Sequence, residues 1–457
     1  MKKLLCTTAM IVTMAASNAF AGDVDLAKEL QAMKSQLKAQ QQLIEKLESR
    51  LNAEVAQQTK AIANLAPAAG GAIKGDVKIT MAPSPKIEST DGRYSFQPFG
   101  RIHLDGAVFD DDQSDHPDGA TFRRMRLGFK GKVDNDIEYK AELDFGNKNA
   151  TDSVSFKEVY LAYTGLDNAN IKVGNFKPAY GLEEMTSSNY ITFIERSLAT
   201  GSFATGEIIG LQAYDGGDNY SWAVGVHNDR STTKSTDDEA KSVVARATFA
   251  PIVDGNKVLH LGVSQAYRIP DSAADSAAFD TQAENSIQRL ESAETGTITG
   301  VDSIYLTGVE AAGTYGPLSL QGEYFYNSVN RNAAADVNVK GWYTQASYFL
   351  TGESRPYKAK SGTFGRVKPN NPLSMKDGGW GAIELAARYS NIDLNDGVIQ
   401  GGEVNDVTLG VNWYLNNNTR LMANYIIVDT DRVVPSGSNV AANDDPNVYL
   451  IRAAIDF

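Results

Sequence analysis

From about residue 94 to the end of the chain, apolar and polar side chains alternate with a period of two. The final segment, residues 447–457, shows this best. One of its faces carries Tyr449, Ile451, Ala453, Ile455 and Phe457, and the other carries Leu450, Arg452, Ala454 and Asp456. Such alternation predicts a strand whose two faces meet different surroundings.

Sixteen segments of this kind are predicted. They are 95–109, 120–133, 136–146, 154–164, 169–180, 205–214, 219–228, 240–250, 257–267, 302–315, 317–328, 338–351, 379–393, 404–415, 419–430 and 447–457. No helical segment follows residue 94 to cover their apolar faces, so lipid is the natural cover. We therefore predict an all-β fold, a 16-stranded antiparallel transmembrane β-barrel, over residues 94–457. A barrel of this size encloses an aqueous channel.

The connections between these segments alternate in length. Short turns, such as those at 134–135 and 416–418, are expected on the periplasmic side of an outer membrane. The long connections are expected on the outside: 110–119, 181–204, 229–239, 268–301, 352–378 and 431–446. Many of them are acidic, which is typical of solvated loops, and a divalent-cation-bridged contact with lipopolysaccharide is the alternative.

Residues 22–66 follow a different pattern, with apolar residues at alternating spacings of three and four. The seam contains Leu26, Leu30, Met33, Leu37, Ile44, Leu47, Leu51 and Leu65. This heptad repeat predicts an α-helical coiled coil, because so narrow an apolar stripe packs best on copies of itself. A single amphipathic helix is the alternative. Residues 67–93 are predicted to be a linker.

The first 21 residues resemble an export signal. Lys2 and Lys3 precede a short apolar stretch, and Ala19-Phe20-Ala21 forms a cleavage pattern of small residues. The only cysteine, Cys6, lies inside this signal, which excludes disulfides and cysteine nucleophiles after cleavage. The predicted location is the outer membrane of a Gram-negative cell, with the coiled coil in the periplasm. The formal net charge of -13 argues against nucleic-acid binding.

The second predicted strand carries the clearest candidate chemistry. Opposite its apolar face lie four cations, Arg124, Arg126, Lys130 and Lys132. Arg101 on the preceding strand and Lys140 on the following strand extend this set. Facing the lumen, such cations form a ladder that replaces the hydration of an anion in steps. The alternative is that Glu138, Glu142 and Asp144 of the next strand pair with the ladder and cancel it.

The connection 181–204 follows the fifth predicted strand. It holds a mixed set of polar and aromatic residues, of which Tyr190, Arg196 and Ser197 are candidates for a constriction inside the lumen. A loop that stays outside the barrel is the alternative.

Several stretches of the chain resemble the phosphate-selective porin O and P family of outer-membrane channels. They are Ala346–Tyr357, Gly365–Pro369, Glu384–Ser390, Leu409–Asn416 and Val173–Pro178. The resemblance implies a sixteen-stranded trimeric barrel with an inward third loop, an arginine ladder and lysines that guide phosphate. Arg124 and Arg126 fit the ladder by position and facing. Glu195, next to Arg196, departs from a purely cationic inward loop.

The leading hypothesis is passive diffusion of small anions, phosphate or pyrophosphate, through a homotrimeric porin that needs no cofactor. The alternative is a general, weakly selective porin whose coiled coil tethers the envelope. An enzyme such as a barrel phospholipase would need a serine–histidine pair with an orienting partner. The four histidines, His103, His116, His227 and His260, have no nucleophile motif near them. We therefore do not expect an enzyme.

Overall fold

The computed structural model describes scattered residues between 31 and 53, and then 77–81, 84–146, 154–228, 239–271, 275–287, 291–397, 399–432 and 443–457. The chain divides into two compact units, Met1–Gly75 and Asp76–Phe457. The predicted signal, 1–21, and most of the predicted coiled coil, 22–66, lie outside the described residues. Those that are described between Gln31 and Ala53 are helical and exposed.

The second unit is built almost entirely of strands. In chain order they are β1 Val77–Thr80, β2 Lys86–Ser89, β3 Ser95–Asp110, β4 Gly119–Val133, β5 Ile137–Asp144, β6 Ser155–Tyr163, β7 Asn170–Phe176, β8 Ile208–Gly216, β9 Tyr220–Asn228, β10 Lys241–Asp254, β11 Lys257–Ile269, β12 Ser276–Ala277, β13 Asp280–Gln282, β14 Glu291–Glu294, β15 Ile298–Thr299, β16 Val301–Tyr315, β17 Leu318–Arg331, β18 Val337–Phe349, β19 Tyr357–Lys358, β20 Thr363–Phe364, β21 Ala382–Asp396, β22 Ile399–Tyr414, β23 Thr419–Asp431 and β24 Asn447–Asp456. Two short helices, α1 Leu182–Met185 and α2 Leu198–Phe203, lie between β7 and β8.

Sixteen antiparallel strands close into a barrel, as the alternating segments predict. The closed ring comprises β3–β11, β16–β18 and β21–β24, and the last strand pairs with the first, from Asn447↔Asp110 to Asp456↔Arg101. The terminal residue completes the seam, because Phe457 and Gly100 exchange two backbone hydrogen bonds of 2.9 and 3.0 Å. A side chain at position 100 would strike the Phe457 ring, since an added Cβ would lie 2.7 Å from its Cζ.

A β-hairpin lies within the segment expected to be a linker, 67–93. Strands β1 and β2 pair with each other, and β2 pairs with β3 through Ile87↔Phe96 and Glu88↔Ser95. The barrel sheet is therefore extended by two strands beyond the ring.

The two faces of the barrel wall follow the alternation in the sequence. Large apolar side chains are exposed on the outside, for example Leu127 at 54% and Ile451 at 62%, whereas Arg452 on the inner face is 2% exposed. This is the reverse of a protein folded in water and matches a wall that faces lipid. No helix among the described residues is long and apolar enough to span a membrane.

The barrel has two ends that differ in their connections. The end that holds Phe457 also holds the turns after β4, β10 and β16, and we call it the turn end. The opposite end, with the connections after β3, β7 and β11, is the loop end.

The segment 352–378 was expected on the outside with the other long connections, and this expectation is wrong. Because strands alternate in direction, the connection after β18, residues 350–381, lies at the turn end, where Leu373 N donates to Leu415 O at 2.7 Å.

Candidate functional site

The connection between β7 and β8, residues 177–207, folds into the barrel, and we call it the inward loop. Its backbone is held by strands on the far side of the lumen. Ile194 N donates to Asn424 Oδ1 at 2.8 Å, and Leu198 N donates to Ser390 Oγ at 3.0 Å. Phe193 is buried against this wall at 1% exposed. The predicted strand 169–180 therefore ends early, at Phe176, and the rest of it enters the lumen.

One strand carboxylate holds the start of the inward loop. Glu323 on β17 accepts the backbone N–H groups of Leu182 and Glu183, both at 2.7 Å. The hydroxyl of Tyr343 donates to the same carboxylate at 2.6 Å. Gly181 precedes these donors with a φ of 71°. That backbone conformation favours glycine, so Gly181 allows the chain to turn sharply onto Glu323.

Two of the three predicted constriction residues bind the inward loop to itself. Ser197 is fully buried and caps α2, accepting from Thr200 N at 3.3 Å and donating to Glu183 Oε2 at 2.9 Å. Arg196 donates to three backbone carbonyl groups and forms an ion pair with Glu184 at 2.9 Å. The geometry thus assigns both residues to holding the loop in shape.

Tyr190, the third of them, meets the connection that enters from the turn end. We call residues 350–381 the return connection. Arg366 donates to the Tyr190 hydroxyl at 3.3 Å, and the Lys358 ammonium lies 5.5 Å from the centre of the Tyr190 ring. A further contact joins Phe364 N to Thr186 Oγ1 at 3.4 Å. Two connections from opposite ends of the barrel therefore touch inside it.

The barrel wall holds the return connection in this position. Arg246 donates to Ser361 O at 3.2 Å and to Gly362 O at 2.8 Å. The Tyr357 hydroxyl lies 2.6 Å from His260 Nδ1. Because these partners lie on β10 and β11, the return connection extends inside the barrel from β18 to strands three and four places away around the ring.

Three arginines converge on Glu195 of the inward loop. Arg123 donates to both carboxylate oxygens at 3.1 and 3.2 Å, and Arg124 does so at 3.2 and 3.4 Å. Arg452 Nη2 adds a bond of 2.7 Å. We call Arg123, Arg124 and Arg452 the arginine trio. Burial alone would raise the pKa of the Glu195 carboxyl, but the three positive charges outweigh burial and hold this pKa well below its ordinary value.

Arg123 is the member of the trio that strict alternation places on the lipid side. The pairing of β3 with β4 shifts between His103↔Arg124 and Leu104↔Phe122, so Arg123 is an extra residue in a β-bulge. A bulge lets two consecutive side chains face the same way. The sequence signal for this bulge was the pair of adjacent arginines in a membrane strand, because in a regular strand one of the two would face lipid.

Arg452 was also not predicted as a site residue, although the sequence alternation placed it on the face opposite the apolar one. It lies on the inner face of β24 and donates to both oxygens of Asp105, each at 2.6 Å. With Asp105 and Glu195 counted, the trio and its carboxylates carry three positive and two negative charges. The cluster is therefore still electropositive.

The predicted ladder is brought together on the lumen side and is largely paired with carboxylates. Four ion pairs show this: Arg101 with Glu142 at 3.1 Å, Arg126 with Asp144 at 2.8 Å, Lys132 with Glu138 at 3.5 Å and Lys140 with Glu142 at 3.6 Å. Arg124 is paired with Glu195. These partners are the loop carboxylate and the acids of β5, whose pairing with the ladder was the predicted alternative.

Lys130 differs from the rest of the ladder and belongs to a second set of lumenal cations. Among the described residues, five lumenal cations near the turn end lie over an aromatic ring and form no ion pair with a carboxylate. The pairs are Lys130 with Phe99 at 5.7 Å, Lys172 with Phe176 at 4.0 Å, Arg355 with Phe364 at 3.7 Å, Lys358 with Tyr190 at 5.5 Å and Arg420 with Tyr414 at 5.3 Å. An aromatic face positions a cation without neutralising its charge. We call these five residues the ring-held cations.

Comparison with known proteins places the chain in a family. Residues 96–457 match the family model described as phosphate-selective porin O and P. Porin O of Pseudomonas aeruginosa is 31% identical over 413 residues, which cover 82% of this chain and 92% of that protein. Among solved structures, an anion-selective porin from Comamonas acidovorans has a TM-score of 0.52 at 13% identity, covering 80% of this chain and 100% of that one. The outer-membrane channel DcaP of Acinetobacter baumannii has a TM-score of 0.51 at 13% identity, covering 81% and 99%.

Proposed function

Because the chain belongs to the phosphate-selective porin O and P family, we propose that it is an outer-membrane porin for passive diffusion of small anions. Phosphate and pyrophosphate are the leading solutes. The turn end then faces the periplasm and the loop end faces outward. Solute moves down its own concentration gradient, so no cofactor enters the proposal.

The ring-held cations are the observation that carries this proposal. Selectivity depends on the charges that line the lumen rather than on the net charge of the protein. Cations paired with carboxylates attract a passing anion weakly, because the neighbouring negative charge repels it. No carboxylate among the described residues pairs with the five ring-held cations, so no neighbouring negative charge offsets theirs, and they lie on both the wall and the return connection. They form an electropositive path at the turn end.

The predicted ladder precedes this path on the way through the barrel. Under the proposal, Arg124 acts at the inward loop, followed by Arg101 and Arg126 and then by Lys130, Lys132 and Lys140. Each of them except Lys130 donates to a carboxylate or is paired with one, and a passing oxyanion can take the place of these carboxylates in steps. Tyr190 stands where the inward loop meets the return connection, which supports a place for it at the constriction.

A general, weakly selective porin is the second candidate function. The observation that favours it is the pairing of the ladder, since four of its six cations contact the acids of β5. In that case the lumen carries alternating charges and favours neither ion strongly. The coiled coil, as an envelope tether, would then carry the more specific function.

Two further parts of the proposal concern partners. The heptad repeat in 22–66 supports self-association, and we place a homotrimer in the membrane. Strand β2 pairs with the first residues of β3, at the turn end, so the chain enters the barrel from that end, which supports a periplasmic location for the coiled coil. The acids of the loop-end connections support contact with lipopolysaccharide through divalent cations.

An enzyme is not proposed, since the family and the fold are those of channel proteins. His260 contacts Tyr357 and Glu310, with Nε2 lying 2.9 Å from Glu310 Oε1, and His116 contacts Asp444 at 2.9 Å. Over the described part of the chain, no serine hydroxyl is hydrogen-bonded to a histidine ring. A hydrolytic triad is therefore not assembled there.

The proposal is tested by the zero-current potential of the purified channel in a planar bilayer under a potassium chloride gradient. Anion selectivity, with chloride current blocked by added phosphate or pyrophosphate, is the expected result. Weak or cation selectivity without block would favour the general porin. Purified protein incubated with phospholipid vesicles should release no fatty acid.

A further inference from the structure

The arginine trio has the geometry of an oxyanion site that already contains an anion. Five of its N–H donors point at one carboxylate, and that carboxylate belongs to the chain itself. Arginine forks match carboxylate and phosphate oxygens equally well. The ligand chemistry of the site is therefore that of an oxyanion, and Glu195 stands in for one.

The site is accessible from the loop end of the lumen. A cavity of about 290 Å³ is lined by Arg123, Arg196, residues of α2 and part of the connection after β11, and by the carboxylates Glu184, Glu195, Asp280 and Glu284. Two of these carboxylates are neutralised by other arginines, Glu184 by Arg196 and Glu284 by Arg388. The Arg123 side chain is 27% exposed, whereas that of Arg124 is 3% exposed. A solute in this cavity would reach Arg123 and the outer side of Glu195 first.

The charge of a solute determines whether it can bind at the arginine trio. Glu195 is attached to a loop that other contacts hold in place, so its effective concentration at the trio is high. A singly charged anion gains no more from the trio than Glu195 does, and it is repelled by Glu195. A solute with two or more negative charges gains a larger Coulomb attraction to the same three guanidinium groups.

We propose that Glu195 is a tethered competitor for the arginine trio and a specificity-determining residue that restricts this site to multiply charged oxyanions such as pyrophosphate. This inference rests on the proposed function and adds a charge threshold to it. Chloride and singly charged phosphate pass without binding at the trio. Pyrophosphate binds there by displacing the carboxylate.

The principal test compares Glu195→Gln with Glu138→Gln. Both substitutions remove one negative charge from the lumen, but Glu138 pairs with Lys132 near the turn end and does not contact the trio. The readout is the concentration of phosphate and of pyrophosphate that blocks half of the chloride current, measured at a mildly acidic pH where phosphate is mostly singly charged and pyrophosphate carries at least two negative charges. We expect Glu195→Gln to lower this concentration for phosphate by about tenfold and to reduce the preference for pyrophosphate. Glu138→Gln should leave the preference unchanged.

Equal shifts in the two variants would overturn the inference, because lumen charge in general would then explain the preference. Weaker block by both solutes in Glu195→Gln would overturn it as well, since Glu195 would then only support the loop. A wild-type channel that is not anion-selective would instead contradict the proposed function. The two failures are therefore distinguishable.

A second variant guards against loss of the folded channel in Glu195→Gln. Arg123→Gln removes the most exposed donor of the trio and leaves Glu195 bound by Arg124 and Arg452. We expect the half-blocking concentration of pyrophosphate to rise by about threefold or more, with phosphate block unchanged. A variant with both values unchanged, or with both raised equally, would contradict a charge threshold at the trio.

Discussion

Arg452 and Glu195 are separated by 257 residues in the chain, yet a 2.7 Å hydrogen bond joins them inside the barrel. The bond links the strand that closes the ring to the loop that fills it. Because Arg452 also binds Asp105 on β3, the closing seam and the inward loop share one side chain. Barrel closure and the position of the loop are therefore coupled.

The Glu195 cluster should contribute stability that depends on pH. Folding lowers the pKa of Glu195 below its ordinary value of 4.5, so the contribution is complete above that pH. It is lost as the pH falls through the lower folded-state pKa. We expect Glu195→Gln to cost about 3 kcal/mol near neutral pH, because it leaves buried guanidinium groups without their counter-charge.

The measurement is the difference in thermal unfolding midpoint between wild type and Glu195→Gln across a pH series in detergent. The difference should stay constant from about pH 7 to pH 5 and shrink at lower pH. A difference that grows on acidification would contradict a lowered pKa.

Glu323 should control how firmly the inward loop is held. In Glu323→Gln one carboxylate oxygen becomes an amide N–H₂, which faces a backbone donor and cannot accept from it. We expect the amide hydrogens of Leu182 and Glu183 to exchange with solvent about tenfold faster or more, since an unsatisfied buried donor costs about 1–3 kcal/mol. Open-channel current noise should rise as well.

Glu353→Gln is the matched control for this experiment. Its carboxylate also accepts a backbone N–H, that of Asn370 at 2.8 Å, but both residues belong to the return connection. Exchange at Leu182 and Glu183 should be unaffected by it. If the two variants gave the same exchange pattern, Glu323 would not be the specific anchor.

The ring-held cations should set much of the anion selectivity. Arg420 donates to Ile191 O at 2.9 Å and has no carboxylate partner in the described structure. We expect Arg420→Gln to lower the chloride-to-potassium permeability ratio by about twofold to fivefold, because one charge at 4 Å is worth about 1 kcal/mol in water. The zero-current potential measures this ratio.

Lys257→Gln provides the control for Arg420. It removes the same charge at the same end of the barrel, but Lys257 is exposed on the outer face and lies over the Tyr315 ring at 5.3 Å. The chloride-to-potassium permeability ratio of the Lys257→Gln channel should equal that of wild type. An equal drop in both variants would indicate a surface-charge effect instead of a lumenal one.

Removal of residues 22–66, with the export signal kept, should leave conduction unchanged. The ring, the inward loop and the return connection are held by contacts within Asp76–Phe457. We therefore expect the single-channel conductance and zero-current potential of the wild type. Native gel electrophoresis and leakage of periplasmic proteins then separate the two roles of the coiled coil. Loss of trimers indicates assembly, and leakage with intact trimers indicates a tether.

Much of the fold was determined by local sequence. The sixteen ring strands were predicted to within a few residues at most of their ends, because the side-chain period of a strand is short and each segment carries its own signal. The facing of Arg124, Arg126 and Arg452 follows from the same alternation.

The tertiary structure decided which charges are neutralised and where the long connections lie. Pairing of Arg126 with Asp144 depends on the register between β4 and β5. Side-chain alternation alone does not fix this register, because a shift by two residues keeps every side chain on the same face. The inward facing of Arg123 depends on a bulge set by pairing with β3. The placement of residues 350–381 depends on strand direction around the ring rather than on their length. Convergence of Arg123, Arg124 and Arg452 on Glu195 requires the closed barrel, because it joins strands from opposite ends of the chain to a loop between them.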